Sequence, residues 1–399
     1  MLKYGLLITR LHEYVPHRGW QTVEEMLNPN LEFKKVYVMS VNDIYDYSNI
    51  PARTLVISSF PPIPRIYRYL FTPLYYSHLV ANFLTRNIKK YNLSLIGYFY
   101  GDPLNEGFPV VLAARKTGIP SFITLQNDYH RRFRITPFYL RIPYLNEIVE
   151  RFVLKKATKI RCVSKFLTDY TIAHGINPKK IVYISNKVNI KNFISISKKE
   201  ITTFQFKYAL SQIIKGNKII LFAGRLRKQK NLERMLRALT KALKDYPQIF
   251  LLIAGAGPRK KELLRLAQKL RISKRVRFLG RLHLEELRCA YHISDFLLFP
   301  TLYEGQPRVV IEALSAGLPV IGSNYGPVPE LVPDRIKGLL VNPLDIETIS
   351  QAILKMARDD DFRERLSKNC VKNVNQFSFK NIGDQEVKFL KGLMDGEQR

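Results

Sequence analysis

Residues 218–254 read KIILFAGRLRKQKNLERMLRALTKALKDYPQIFLLIA, a segment with clear signs of its secondary structure. Its two ends, 218–223 and 249–254, are short apolar runs of the kind that form buried parallel strands. Between them, 231–246 has the periodicity of an amphipathic helix. A strand, a helix and a second strand in this order form a right-handed crossover between parallel strands. The stretch therefore predicts a doubly wound α/β sheet.

The same alternation continues on both sides of this stretch. Towards the C-terminus, we predict strands at 276–279, 295–299 and 319–322, with helices between and after them. Towards the N-terminus the strands are less distinct, and the predicted ones are 4–8, 35–39, 54–58, 95–98, 121–125, 160–163 and 181–184. We therefore expect two Rossmann-like domains facing a cleft, with ligands beyond the carboxyl ends of the strands.

A polar segment rich in Lys, Ser and Asn separates the two series of strands. We expect an N-terminal domain at 1–190, a linker at 191–216 and a C-terminal domain at 217–375. Residues 376–399 are predicted to form a helix that packs back on the N-terminal domain. A chain of 399 residues is too long for one ordinary core, which agrees with two domains.

The chain is strongly basic, with 64 Lys and Arg against 33 Asp and Glu and a formal net charge of +31. This charge attracts any polyanion, whether nucleic acid, an anionic membrane or a phosphorylated substrate. Residues 1–190 carry 26 Lys and Arg against 12 Asp and Glu, and the remainder carries 38 against 21. Because the excess is spread along the chain, a specific nucleic-acid role is not expected.

Cysteine usage and hydropathy favour a cytoplasmic protein. Cys162, Cys289 and Cys370 lie far apart and predict neither a disulfide framework nor a metal site, and the 7 histidines are scattered. The longest apolar runs are well short of the roughly 18 residues that cross a bilayer. The N-terminal apolar run is too short for a secretory signal.

The segment most informative about function is 303–314, YEGQPRVVIEAL, which is followed by SAGLPVI at 315–321. This segment places a loop directly after a strand and then begins a helix, whose amide groups and dipole favour an anion such as a diphosphate. Glu304 and Glu312 flank this anion site, so one carboxylate can bind a sugar hydroxyl and the other a ribose. Alternatively, both are surface charges at an ordinary helix start. Apolar neighbours surround Glu312, and a carboxylate buried among them needs a partner.

The segment resembles the E-x7-E signature of the family 4 retaining glycosyltransferases, which have the two-domain GT-B fold. FAGRLRKQKNL at 222–232 resembles the family's G-R-L…K-G…L element, and AGAGP at 254–258 is similar to its strand-end G-x-G-P turn. The chain departs from the family at Asn231, where glycine is usual. Asparagine tolerates a left-handed backbone better than most residues, so we expect the loop to keep its shape.

The resemblance implies a metal-independent glycosyltransferase that uses a nucleotide diphosphate sugar and no other cofactor. Its acceptor is expected to be a lipid-linked or growing glycan. Arg225 and Lys230 would neutralise the donor diphosphate, and Glu304 would position the donor. The other donor-binding positions that the resemblance implies are Gly19, Gly224, Gly255, Gly257, Gly305, Gln306, Pro307, Arg308 and Glu312.

The N-terminal half matches the family less well. Its loop PHRGW at 16–20 has the single glycine Gly19, and Gln126 stands where we would expect a histidine. Asp128 and His130 follow a predicted strand and are candidates for catalysis or acceptor contact, or else a capping Asp and a surface His. The alternative function is therefore a protein that binds nucleotide sugars without transfer, and a third is isomerisation or hydrolysis of the nucleotide sugar.

A basic and aromatic surface is expected in the same half. Aromatic runs at 70–76 and 79–84, together with 130–134, lie near the cations Arg65, Arg68, Arg86, Lys89 and Lys90. Such a surface suits docking on an anionic membrane, which would place the protein at the inner face of the cell membrane. Aromatic stripes also form cores, and this alternative stays open.

Overall fold

The computed structural model describes residues 4–9, 27–33, 36–41, 54–58, 73–98, 107–127 and 143–396. These residues form two compact units. Unit 2 is Asn186–Ser378, and unit 1 contains the described residues that precede and follow it in the sequence.

The described strands of unit 1 form one parallel sheet. They are β1 (Tyr4–Thr9), β2 (Val36–Val41), β3 (Thr54–Ser58), β4 (Leu95–Gly97), β5 (Ser121–Leu125), β6 (Lys159–Cys162) and β7 (Ile181–Tyr183). The spatial order is β3-β2-β1-β4-β5-β6-β7, and every neighbouring pair is parallel. The order reverses between β1 and β4, as in a doubly wound sheet.

The helices of this part of the chain begin and end at recognisable signals. They are α1 (Pro73–Tyr91), α2 (Phe108–Thr117), α3 (Pro143–Lys156) and α4 (Lys165–Ala173). The α2 helix ends at Gly118, whose φ of 75° lets its amide bond back to the carbonyl of Ala114. The α4 helix begins after Ser164, whose hydroxyl accepts a hydrogen bond from the amide of Leu167.

The stretch 79–84 was expected to form part of an aromatic surface, with a place in the core as the alternative. For three of its residues the alternative is correct. Val80, Ala81 and Leu84 are at most 1% exposed, because they lie on the face of α1 that packs into the core. The cations Arg86, Lys89 and Lys90 are exposed. Arg65, Arg68 and the segments 70–72 and 130–134 lie outside the described residues.

The described strands of unit 2 form a second parallel sheet. They are β8 (Lys218–Ala223), β9 (Ile249–Ala254), β10 (Val276–Gly280), β11 (Phe296–Phe299), β12 (Val320–Ser323) and β13 (Gly338–Val341). Their order is β10-β9-β8-β11-β12-β13, again with all pairs parallel. The sheet order reverses between β8 and β11. The predicted α/β class with two doubly wound parallel sheets is confirmed.

The helices of unit 2 precede, connect and follow these strands. They are α5 (Lys191–Ile194), α6 (Lys198–Lys207), α7 (Ser211–Ile214), α8 (Leu232–Asp245), α9 (Lys260–Lys269), α10 (Leu284–His292), α11 (Arg308–Ser315), α12 (Val328–Leu331), α13 (Ile346–Arg358) and α14 (Asp360–Cys370). The α8 helix buries Leu232, Met235, Leu236 and Leu239, a spacing of three and four residues that forms one apolar face. The segment 191–216, expected as a linker, carries α5 to α7 within unit 2.

The C-terminal helix α15 (Phe379–Met394) belongs to unit 1. Its Glu386 carboxylate lies 2.8 Å from the Arg161 guanidinium of β6, and both side chains are at most 1% exposed. The rings of Phe389 and Phe122 meet edge to face, with centroids 5.6 Å apart. A buried ion pair and an aromatic contact therefore fasten this helix to the first sheet.

Across the part of the chain that the structure describes, no helix is both long enough and apolar enough to span a bilayer.

Candidate functional site

Two loops meet at the point where the order of the second sheet reverses. One follows β8 and begins with Gly224 and Arg225, and the other follows β11 and leads through Thr301 to Glu304. Carboxyl ends of parallel strands at such a reversal are where ligands bind in doubly wound sheets. The fold thus brings together the two motifs that the sequence singled out.

An ion pair joins these loops. The Lys230 ammonium nitrogen lies 2.6 Å from the Glu304 carboxylate oxygen Oε1, and the side chains are only 15% and 9% exposed. The same ammonium lies 4.9 Å from the ring centroid of Phe299, the last residue of β11. A charge held between a carboxylate and an aromatic face has little freedom to move.

The residues on either side of Lys230 reinforce this contact. The Gln229 side-chain amide donates to the carbonyl of Tyr303 at 2.8 Å, and the carbonyl of Gln229 accepts from the amide of Leu302 at 2.9 Å. The Asn231 amide donates to the carbonyl of Pro300 at 2.9 Å. Three consecutive residues of one loop therefore bind the loop that carries the glutamate.

Asn231 has the left-handed backbone that the sequence analysis expected, with φ 60° and ψ 26°. Its side chain is only 3% exposed and makes two further hydrogen bonds. It donates to the carbonyl of Pro343 at 2.6 Å and accepts from the Arg234 guanidinium at 3.2 Å. The asparagine thus joins three segments of unit 2.

The glycines of the AGAGP turn shape the loop that carries Arg225. A Cβ atom at Gly255 would lie 1.9 Å from the carbonyl oxygen of Gly224, and one at Gly257 would lie 2.6 Å from the amide and carbonyl of Leu226. The two backbones also pair, since the Leu226 amide donates to the Ala256 carbonyl at 2.9 Å. Only residues without a side chain permit this approach. Arg225 itself is exposed.

The second glutamate of the signature has a partner that sequence reasoning missed. Glu312 is the fifth residue of α11, is half-buried and accepts a hydrogen bond from the Tyr291 hydroxyl at 2.9 Å. Burial, and then the charge of Glu312, raise the pKa of Tyr291 well above its usual range. The phenol therefore keeps its proton and orients the carboxylate. Tyr291 lies 21 residues away on α10, so no local pattern identifies it.

The residues between the two glutamates are tightly packed. Gln306 is 5% exposed, and its side-chain oxygen accepts from the backbone amide of Asn186 at 2.7 Å. The Asn186 side chain donates to the carbonyl of Gln306 at 3.2 Å. Gly305 and Pro307 are buried, and Arg308 is half-buried at the start of α11. The structure therefore shows an anchoring role for Gln306 within unit 2.

The predicted residues of the N-terminal half cannot be added to this site. Gly19, Asp128 and His130 lie outside the described residues. Gln126 follows the end of β5 and is half-buried. In the described ranges, no group of three or more His, Cys, Asp or Glu side chains is placed to hold a metal ion.

Two family models match the chain. One, described as glycosyl transferases group 1, matches residues 205–372, and the other, described as Glycosyltransferase Family 4, matches residues 40–192. A glycosyltransferase of Methanocaldococcus jannaschii is 30% identical over 60% of this chain and 61% of its own length. The match thus spans less than two thirds of that relative.

Solved structures share the fold over nearly the whole chain. Sucrose-phosphate synthase from Thermosynechococcus elongatus aligns with a TM-score of 0.80 and 21% identity, covering 99% of this chain and 100% of the other. The Anabaena protein HepE, in complex with UDP and glucose, aligns with a TM-score of 0.76 and 18% identity, covering 98% of this chain and 100% of the other. At these identities the likeness concerns the fold.

Proposed function

Since this chain belongs to the family 4 glycosyltransferases of GT-B fold, we propose that it moves a sugar, with retention of configuration, from a nucleotide diphosphate sugar to a hydroxyl group. The donor would bind unit 2 at the loops 224–231 and 303–312. The observation that carries the proposal is the Lys230–Glu304 pair, which joins a cation for the diphosphate and a carboxylate for the sugar at one point of the sheet.

The donor diphosphate would bind near Arg225, Lys230 and the first turn of α11. Two cations and the positive end of a helix dipole can stabilise the charge that develops on a departing diphosphate, as a metal ion does in other enzymes. Glu304 would accept hydrogen bonds from the sugar hydroxyls. Glu312, oriented by Tyr291, would accept hydrogen bonds from the ribose.

In the single-step transfer with retention that we propose, the acceptor attacks the face from which the diphosphate leaves. The bond between the sugar C1 and the phosphate oxygen breaks, and its electron pair stays on the diphosphate. The new bond forms between C1 and the acceptor oxygen. The acceptor's proton passes to the leaving phosphate oxygen, so no protein base is needed for this step. Residues 224–231 would contribute by stabilising the leaving group.

We propose that the acceptor binds to the N-terminal half of the chain. Asp128 and His130 remain the candidates in the N-terminal half, with Gly19 as a donor contact. We propose a lipid-linked or growing glycan as the acceptor, met at the inner membrane face. The exposed cations Arg86, Lys89 and Lys90 of α1 support attraction to an anionic surface. Recovery of all protein in the supernatant after mixing with anionic liposomes at low salt would rule out the membrane part.

The testing experiment is a donor screen of the purified protein. Thermal stabilisation and nucleotide release are measured with uridine, guanosine and adenosine diphosphate sugars, with and without a membrane extract. HepE was solved with UDP and glucose, which supports starting with the uridine sugars. Stabilisation with acceptor-dependent release is expected. Stabilisation without release under any acceptor would favour the alternative, a binding protein without transfer, which Gln126 at the expected histidine position also favours.

A further inference from the structure

Asn231 is the one residue of the 222–232 motif that departs from the family pattern, and its side chain makes three hydrogen bonds. Its amide donates to two carbonyls, those of Pro300 and Pro343, while its oxygen accepts from Arg234. A glycine there would supply the same left-handed backbone but none of these bonds. The asparagine therefore does something in this chain that the glycine of its relatives does not.

The two carbonyls that Asn231 binds belong to two other loops of unit 2. Pro300 follows β11 and lies four residues before Glu304, and Pro343 lies between β13 and α13. At 3% exposure, the amide group is shielded from water, so each lost hydrogen bond would leave a buried carbonyl without this partner. Lys230 immediately precedes Asn231 in the chain, so the hydrogen bonds of Asn231 also restrain the backbone of Lys230.

We infer that Asn231 is a positioning residue, which holds the Lys230 ammonium at the point where the donor diphosphate binds. It acts through its neighbour and makes no contact with the ligand itself. The inference rests on the proposed donor site for its functional meaning. Its structural content, that the asparagine amide restrains the lysine, stands on the hydrogen bonds of unit 2.

The decisive variant is Asn231→Gly, which keeps the backbone conformation and removes the amide. Its matched control is Asn373→Gly. Asn373 has nearly the same backbone, with φ 63° and ψ 11°, but is exposed and makes no side-chain capping bond. Both variants exchange an asparagine for a glycine at a left-handed position, so the conformational freedom gained by the unfolded chain is the same.

The binding test is a double-mutant cycle in which calorimetry measures the affinity of each variant for UDP. Asn231→Gly should weaken UDP binding about tenfold, since two buried hydrogen bonds that order the lysine are lost. In a Lys230→Gln background the same change should have less than about a twofold effect, because the group that Asn231 positions is gone. Equal losses in both backgrounds, or none in either, would overturn the inference, and Asn373→Gly should bind UDP as the unmodified protein does.

A second readout needs no ligand. Reductive methylation followed by mass spectrometry measures how readily the Lys230 amine reacts. Asn231→Gly should raise the rate of Lys230 modification several-fold, and Asn373→Gly should leave it unchanged. An unchanged rate in Asn231→Gly would overturn the inference. If no nucleotide sugar binds the unmodified protein, the proposed function fails, whereas this labelling result still decides whether Asn231 restrains Lys230.

Discussion

The Lys230 ammonium and the Glu304 carboxylate lie 2.6 Å apart across the reversal point of the second sheet and neutralise each other. Each is the group we assign to a different part of the donor, the lysine to the diphosphate and the glutamate to the sugar. Under this proposed assignment, the donor would exchange partners with this pair when it binds. A ligand that carries only one of the two parts gains less than the complete donor, because it leaves one charge without a partner.

Replacing Glu304 by Gln is expected to separate the two roles. UDP should bind roughly tenfold more tightly, because the diphosphate no longer competes with a carboxylate for Lys230. Sugar transfer should fall by about a hundredfold, because a charged hydrogen-bond acceptor for the sugar is lost. Calorimetry with UDP and a nucleotide-release assay measure the two effects. Glu364→Gln, at an exposed ion pair on α14, is the control and should change neither.

Replacing Gly257 by Ala should damage the loop that carries Arg225. The added Cβ would lie 2.6 Å from backbone atoms of Leu226, and backbone cannot move aside cheaply. We expect a loss of about 2–4 kcal/mol in the free energy of unfolding, and weaker nucleotide binding. Gly216→Ala adds a Cβ in open space at φ 77°, so it should cost only about 1 kcal/mol and leave binding intact. Equal effects of the two changes would count against this role of the turn.

Removing the Tyr291 hydroxyl should disturb chiefly Glu312, since its other hydrogen bond, to the Val309 carbonyl, is longer at 3.3 Å against 2.9 Å. Tyr291→Phe is expected to cost about 1 kcal/mol of stability and to weaken UDP binding several-fold. If Glu312 binds the ribose, the preference for UDP over 2′-deoxy-UDP should also shrink. Tyr208→Phe is a close control, since Tyr208 donates a similar 3.0 Å hydrogen bond to Glu286 on α10. A loss of UDP affinity as large in that control as in Tyr291→Phe would show that the effect is not specific to the site.

The buried pair in unit 1 predicts an asymmetric pattern of stabilities. Arg161→Met removes the cation beside the fully buried Glu386 carboxyl group, and we expect a loss of about 3–5 kcal/mol in urea unfolding. Adding Glu386→Leu should recover part of that loss, because an apolar side chain replaces the buried carboxyl group. Breaking the exposed Lys368–Glu364 pair by Lys368→Met should cost well under about 1 kcal/mol. A double variant less stable than Arg161→Met would contradict this explanation.

The sequence predicted most of the second sheet because its strands are continuous apolar runs. The predicted strands 218–223 and 249–254 coincide with β8 and β9. No strand was predicted at β13, Gly338–Val341, whose apolar run is only the three residues 339–341, between a glycine and an asparagine. The lysine and glutamate were found from motifs, and their pairing follows from the sheet order. Tyr291 and Asn186 were missed because they reach the site from distant segments and carry no local signal.

Calorimetric titration of Arg225→Ala with donor tests whether the loops 224–231 and 303–312 bind a nucleotide sugar. UDP-glucose, GDP-mannose and ADP-glucose are titrated into the unmodified protein, Arg225→Ala and Arg265→Ala, an equal charge change on the exposed side of α9. We predict that one donor binds the unmodified protein and Arg265→Ala equally, and binds Arg225→Ala at least about tenfold more weakly. Equal binding to all three proteins, or binding of no donor to any of them, would contradict binding at these loops.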